Sequence, residues 1–216
     1  MNEEWSLIEL FNLGGVFMWP LLAFSVATIS LIIERVAYLF YHKLNVTPLR
    51  NSMMGHIENG QIGDAITSLR GEPRKNASAT ILLSLLSNAR NGENRMEKAA
   101  EAEAQERIRH LENGFNYLTA LASLAPLTGF LGTVSGMIGA FKSIANATEV
   151  NAQLIANGIY ESLITTVFGL CIAIVALVAY NLLMQRVDTF AADVTKTVSD
   201  LTSAILETQD IKDSGK

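Results

Sequence analysis

A chain of 216 residues, half of them apolar, with a positive mean hydropathy is not composed like a soluble enzyme. Its formal charge of −5 is spread over acidic and basic positions, with no basic block that would hold DNA or RNA. The apolar residues are bunched instead: 10–33, 114–141 and 162–185 carry no charged side chain. Each run is long enough to cross a bilayer, for which roughly 20 helical residues suffice.

In chain order, the lead-in MNEEWSLIE is acidic where a signal peptide would be basic, so the first apolar run is expected to be a retained anchor. Residues 1–12 are read as an outer N-terminal segment and 13–39 as the first transmembrane helix. The segment 40–113 reads as a helical domain outside the membrane, with short pieces broken at TP, ENG and RGEPRKN. Its last part, ENRMEKAAEAEAQERIRHLENG, is rich in Ala, Glu, Arg and Lys. With no Pro between Asn76 and Pro126, it predicts one helix running straight into the second span, on the order of 75 Å from Glu93 to Lys142. The second span is placed at 114–142, a short loop at 143–158, the third span at 159–185, and a C-terminal helix and tail at 186–216. In that tail Val187, Ala191, Val194, Val198, Leu201 and Ile205 keep a helical stripe that needs a neighbour to bury it.

Orientation follows from the sixteen Lys and Arg residues. None precedes the first span, eleven lie between Arg35 and Arg109, four lie from Arg186 onward, and only Lys142 sits on the other side. The excess of basic residues inside places 40–113 and the C-terminal tail in the cytoplasm and the N-terminus on the opposite face.

Chemistry of the enzyme kind finds no footing. Cys171 lies alone in the third span and reads as a small apolar packing residue, and His42, His56 and His110 are scattered without a cluster at ligand spacing. No metal site, cofactor site, nucleophile elbow or phosphate loop is expected. What the spans do carry is small residues and hydroxyls. Gly129, Gly132, Gly136 and Gly139 fall on one side of the second span, where a helix can approach closely, and Thr128, Thr133 and Ser135 add hydroxyls at membrane depth. Pro126 interrupts the hydrogen bonding of that helix. The third span has a matching side of Ser162, Thr166, Gly169, Ala173 and Ala176. On their own such faces mean tight helix packing.

The ordered run Ala125-Pro126-Leu127-Thr128-Gly129-Phe130-Leu131-Gly132-Thr133-Val134-Ser135-Gly136-Met137-Ile138 resembles the APLLGLLGTVxGMI signature of the ExbB/TolQ/MotA proton-channel family. GGVFMWPLLAFSVATISLIIER resembles that family's first span, and IYESLITTVFGLCIAIVALVAYN its third-span pattern IxEALxTTxxGLxxAIPAxxxYN. Three spans rather than four resemble the ExbB/TolQ branch, and ExbB most. Two departures stand out: Val175 replaces the third-span Pro, and Ser135 stands where Trp is frequent.

The resemblance implies an all-α integral membrane protein of the bacterial inner membrane. It implies a homo-pentameric cage whose second and third helices line a pore and extend into a cytoplasmic bundle. Its implied partners are an ExbD/TolR-type single-span protein carrying a transmembrane Asp, and a TonB-like or TolA-like protein that receives the force. By position, Thr133 and Thr166 match the pore threonines and Glu161 the third-span glutamate, with Ser162 and Ser135 beside them. The residues agree on one point: no Asp, Glu, Lys, Arg or His lies deep in any span, so the chain alone lacks a proton carrier at depth. A TolQ-like role and a non-conducting oligomeric scaffold remain as alternatives. A secondary transporter is disfavoured, since three spans without deep charges carry no inverted repeat.

Overall fold

The computed structural model describes residues 11–42, 44–73, 76–146 and 152–214, and every regular element among them is helical. In order these are α1 (Met18–Tyr41), α2 (Thr47–Glu58), α3 (Ile62–Gly71), α4 (Ala77–Ser87), a 3-10 turn (Ala89–Asn91), α5 (Glu93–Glu112), α6 (Phe115–Asn146) and α7 (Ala152–Ser214). Three helical stretches, Met18–Tyr41, Glu93–Asn146 and Gly158–Gln209, are long and apolar enough to cross a membrane. The acidic lead-in and residues 147–151 of the predicted short loop lie outside the described residues.

Contacts divide the chain into two units. The first combines the residues up to Glu34 with Gly114–Leu182. Its core is Met18, Leu21, Ala125, Ile164 and Ile172, flanked by Phe11, Phe24, Tyr160 and Phe168. Few large side chains of this unit are buried; Trp19, Phe130, Ile138, Leu163, Val167 and Ile174 are all exposed, as expected of helices whose outer faces meet lipid or other helices rather than water. Cys171 is likewise exposed, so it does not pack inside the chain as the sequence suggests.

The second unit holds Arg35–Asn113 and Leu183–Lys216. Here the helix starts are written locally: Pro48 stands in the first turn of α2, and the Asn76 side chain accepts from the Ala79 N–H to cap α4. Met53, Ile57, Leu69, Ile81, Leu82, Leu85, Met96 and Ala100 are buried. So are Val187, Val194, Val198, Leu201 and Ile205 of the predicted stripe, together with Phe190, which the stripe did not include. Polar ties supplement this core. The Ser84 hydroxyl donates to Ala99 C=O (2.9 Å), and Gln209 Nε2 donates to Ala89 C=O (3.3 Å). Arg50 donates through Nε (2.9 Å) and Nη2 (2.7 Å) to the same Asp200 oxygen. Because both side chains are about one-third exposed, a double-mutant cycle with Arg50→Ala and Asp200→Ala is expected to return a coupling of only roughly 0.2–1 kcal/mol in thermal melts.

Two helix boundaries differ from expectation. The predicted straight helix from Glu93 into the second span is interrupted at Asn113–Gly114, where Gly114 takes φ +94°, a conformation open to glycine and costly to other residues. A guanidinium N–H of Arg35 donates to the Asn113 carbonyl beside this break, which satisfies a group that α5 leaves unpaired at its C-terminus. The first span begins at Met18 rather than 13, because Gly14 and Gly15 form an elbow before it, with Gly15 at φ +66°.

Candidate functional site

In the first unit α6 and α7 lie against each other along their small residues, and glycine sets how closely. A Cβ built on Gly129 would stand 2.7 Å from the Thr165 carbonyl oxygen and 3.1 Å from Thr166 Cα. One on Gly169 would stand 2.6 Å from Ala125 O and 3.3 Å from Gly129 Cα. Gly132 meets Thr165 Cβ at 2.7 Å, and Gly136 approaches Ser162 and the Gly158 carbonyl (3.1 Å). Gly158, absent from the sequence reading, returns the approach by facing Gly136 O and Ala140. Gly139 is exposed, and among the described residues nothing stands where its Cβ would be. At the far end of the pair Phe115 and Tyr180 meet edge to face at 6.1 Å.

This approach brings hydroxyls from both helices together. Thr133 Oγ1 and Thr166 Oγ1 are 2.7 Å apart. Around them three hydroxyls converge on one acceptor, the Gly129 carbonyl: Thr133 at 3.1 Å, Thr165 at 3.2 Å and Thr166 at 3.3 Å. Thr165 can instead donate to Ser162 C=O (2.9 Å), and Ser162 has a choice between Gly158 C=O (2.7 Å) and Thr133 C=O (3.1 Å). Each hydroxyl has one proton to give and two lone pairs to offer, and a carbonyl oxygen has two lone pairs. The Gly129 oxygen cannot serve all three donors at once. The cluster therefore has several hydrogen-bond arrangements that differ by rotation of O–H groups, and it keeps unused acceptor capacity for a further partner.

The candidate residues do not all join. Thr133 and Thr166 form the centre and are half-buried, while Ser162 is buried beside them. Glu161 is half-buried and lies against Gly15 rather than in the hydroxyl cluster. Ser135 is exposed, and no hydrogen bond joins it to these groups among the described residues. Pro126 sits half-buried inside α6, where its missing N–H leaves the Ala122 carbonyl without an i+4 donor. Thr165, which is 1% exposed and binds across to α6, is the member that sequence reasoning missed. Its signal was the Thr165-Thr166 tandem: two adjacent hydroxyls on one helix reach a neighbour at two levels. No Asp, Glu, His, Lys or Arg lies between Glu161 and Arg186 on α7, or between Phe115 and Phe141 on α6. The cluster can orient, donate to and accept from a charged group, but holds none of its own.

Comparison with known proteins agrees with these helices. The model of the MotA/TolQ/ExbB proton channel family matches residues 73–196. An ExbB-like biopolymer transport protein of Synechocystis is 30% identical over 201 residues, covering 89% of this chain and 78% of that one. A biopolymer transport protein ExbB of Vibrio cholerae is 28% identical over 90% of this chain and 86% of its own length. The Tol-Pal system protein TolQ of Haemophilus influenzae is 38% identical over 98 residues, 45% of this chain and 43% of that protein. With three membrane-crossing helices, the close α6–α7 pair and a family match over more than half its length, this chain is a membrane protein belonging to the MotA/TolQ/ExbB proton channel family.

Proposed function

We propose that this chain is the channel-forming subunit of a proton-driven motor in a bacterial inner membrane, coupling proton flow to movement of an ExbD/TolR-type single-span partner and so energising TonB-dependent transport. The observation that carries this reading is the Thr133–Thr166 pair, 2.7 Å between two spans, in a cluster with spare acceptor capacity and no ionisable carrier at its level. Bare charge at membrane depth is costly, so a proton path needs a titratable group there. A transmembrane Asp from the partner would supply it, with Thr133 and Thr166 orienting that carboxyl and Glu161 at the mouth of α7.

In this reading the chain is a homo-pentamer in the lipid bilayer, with α6 and α7 facing a central pore occupied by the partner. Residues 40–113 and 186–216 form its cytoplasmic part, the side favoured by the distribution of Lys and Arg, and the N-terminus lies in the periplasm. The likeness to TolQ supports a second reading within the same mechanism, in which a TolA-like protein of the Tol-Pal system receives the force.

Native mass spectrometry of the complex extracted gently from its own membranes tests both. Five copies with two of a single-span protein bearing a membrane-embedded Asp are expected, and the outer domain of that protein separates the TonB and Tol readings. A lone oligomer with no acidic companion would leave the proton path without a carrier and favour a non-conducting scaffold.

A further inference from the structure

The elbow ahead of the first span docks on α7 in an unusual way. Gly14 and Gly15 face Ile164 and Glu161, which lie three residues apart on one face of α7. A Cβ on Gly14 would lie 3.3 Å from Ile164 Cγ2, and its neighbour Met18 is buried in the same core as Ile164. A Cβ on Gly15 would fall within the Glu161 carboxyl group, 2.9 Å from Cδ and 3.5 Å from Cγ. The carboxyl thus occupies the very space that a side chain at position 15 would take.

Left-handed backbone alone does not account for this. Gly92 is also left-handed, at φ +88°, yet open space surrounds the position of its Cβ. At Gly15 the conformation and the vacated side-chain volume coincide with a carboxylate. Nor is Glu161 fixed by polar partners, for it makes no hydrogen bond or ion pair among the described residues.

We propose that Gly15 is a positioning residue for Glu161: by lacking a side chain it leaves the pocket in which that carboxyl lies, at the level of α7 just before the Ser162, Thr165 and Thr166 hydroxyls. The functional consequence rests on the reading of Glu161 as a proton-entry group. Five residues separate Glu161 from Thr166, about 7.5 Å along a helix, so a displaced carboxyl changes the approach to the hydroxyl cluster without touching it. Any side chain at position 15 drives the carboxyl out, and shortening the acid by one methylene gives the space back.

The test uses the full complex in native membranes with two readouts: the rate at which a hydrophobic carbodiimide modifies Glu161, followed by peptide mass spectrometry, and gradient-driven activity. Gly15→Ala is expected to change the modification rate several-fold and to lower activity, whereas Gly92→Ala, also at positive φ but with open space around its Cβ, leaves the modification rate unchanged. The double variant Gly15→Ala/Glu161→Asp is expected to recover activity beyond Gly15→Ala alone. An assembled Gly15→Ala complex with unaltered modification of Glu161 overturns the proposal. If Gly15→Ala prevents assembly, the double variant decides: assembly restored by the shorter acid supports it, and persistent failure overturns it. Altered modification with unchanged activity upholds the positioning role and removes Glu161 from the proton path.

Discussion

Thr166→Val, and separately Thr133→Val, is expected to leave the protein inserted and assembled while slowing gradient-driven work by roughly ten- to hundred-fold, the range that follows from losing a hydrogen bond to a charged group worth about 1.5–3 kcal/mol. Valine keeps the shape of threonine and removes only the hydroxyl. At Thr166 the structure tolerates that loss, because the Gly129 carbonyl still has Thr133 and Thr165 as donors. What disappears is the 2.7 Å link between the spans and the spare acceptor it holds. Thr166→Ser keeps the hydroxyl and is expected to retain most activity. Thr165→Val should behave differently: it is buried and bound across to α6, so its loss lowers stability by about 1 kcal/mol and affects work less than the other two. Activity of the reconstituted complex, normalised to assembled protein, separates these cases. Undiminished activity in both Thr133→Val and Thr166→Val would remove the hydroxyl pair from the mechanism.

Much of this site is legible in the sequence because membrane helices are constrained by few rules. Uncharged runs mark the spans, and small residues at three- and four-residue spacing mark where a neighbour approaches. Gly129, Gly132, Gly136 and Gly169 fall on such faces, and all four lie against α6 or α7 partners. Gly139 continues the same spacing and has no neighbour among the described residues. Periodicity shows which side of a helix is small, but not how far along that side the partner helix continues. Thr165 stands three residues after Ser162 and four before Gly169, at the edge of the same small-residue face, where a wheel does not say whether its hydroxyl turns toward the neighbour. Here Thr165 and Thr166 both reach the Gly129 carbonyl, because α6 offers bare glycine backbone over a wide arc. The break at Gly114 was hidden by composition: Asn113-Gly114 follows a strongly helical stretch, and only the left-handed φ at Gly114 identifies it as a stop.

The second large effect is expected from filling the α6–α7 seam. Gly129→Val and Gly169→Val should each destabilise the protein by about 3 kcal/mol or more, an estimate at the upper end for overpacked interiors. The obstructing atoms are backbone: Thr165 O at 2.7 Å from a Cβ on Gly129, and Ala125 O at 2.6 Å from one on Gly169. A carbonyl oxygen within a helix cannot rotate away, so the two helices must separate. Separation pulls Thr133 from Thr166 and exposes the Gly129 carbonyl to hydrocarbon, where an unsatisfied polar group costs more than in water. Gly136→Ala is milder, since the nearest atom is the Ser162 hydroxyl oxygen, the end of a side chain that can change rotamer at the cost of its bonds to the Gly158 and Thr133 carbonyls. Gly139→Ala meets nothing among the described residues and should be neutral or slightly stabilising, because Ala favours helix over Gly by up to about 1 kcal/mol. Thermal melting of the detergent-solubilised protein orders these four variants, and the proportion that assembles gives an independent reading. A Gly139→Ala protein that melts normally yet fails to assemble would locate that glycine against another copy or the partner, extending the small-residue face of α6 beyond its own chain.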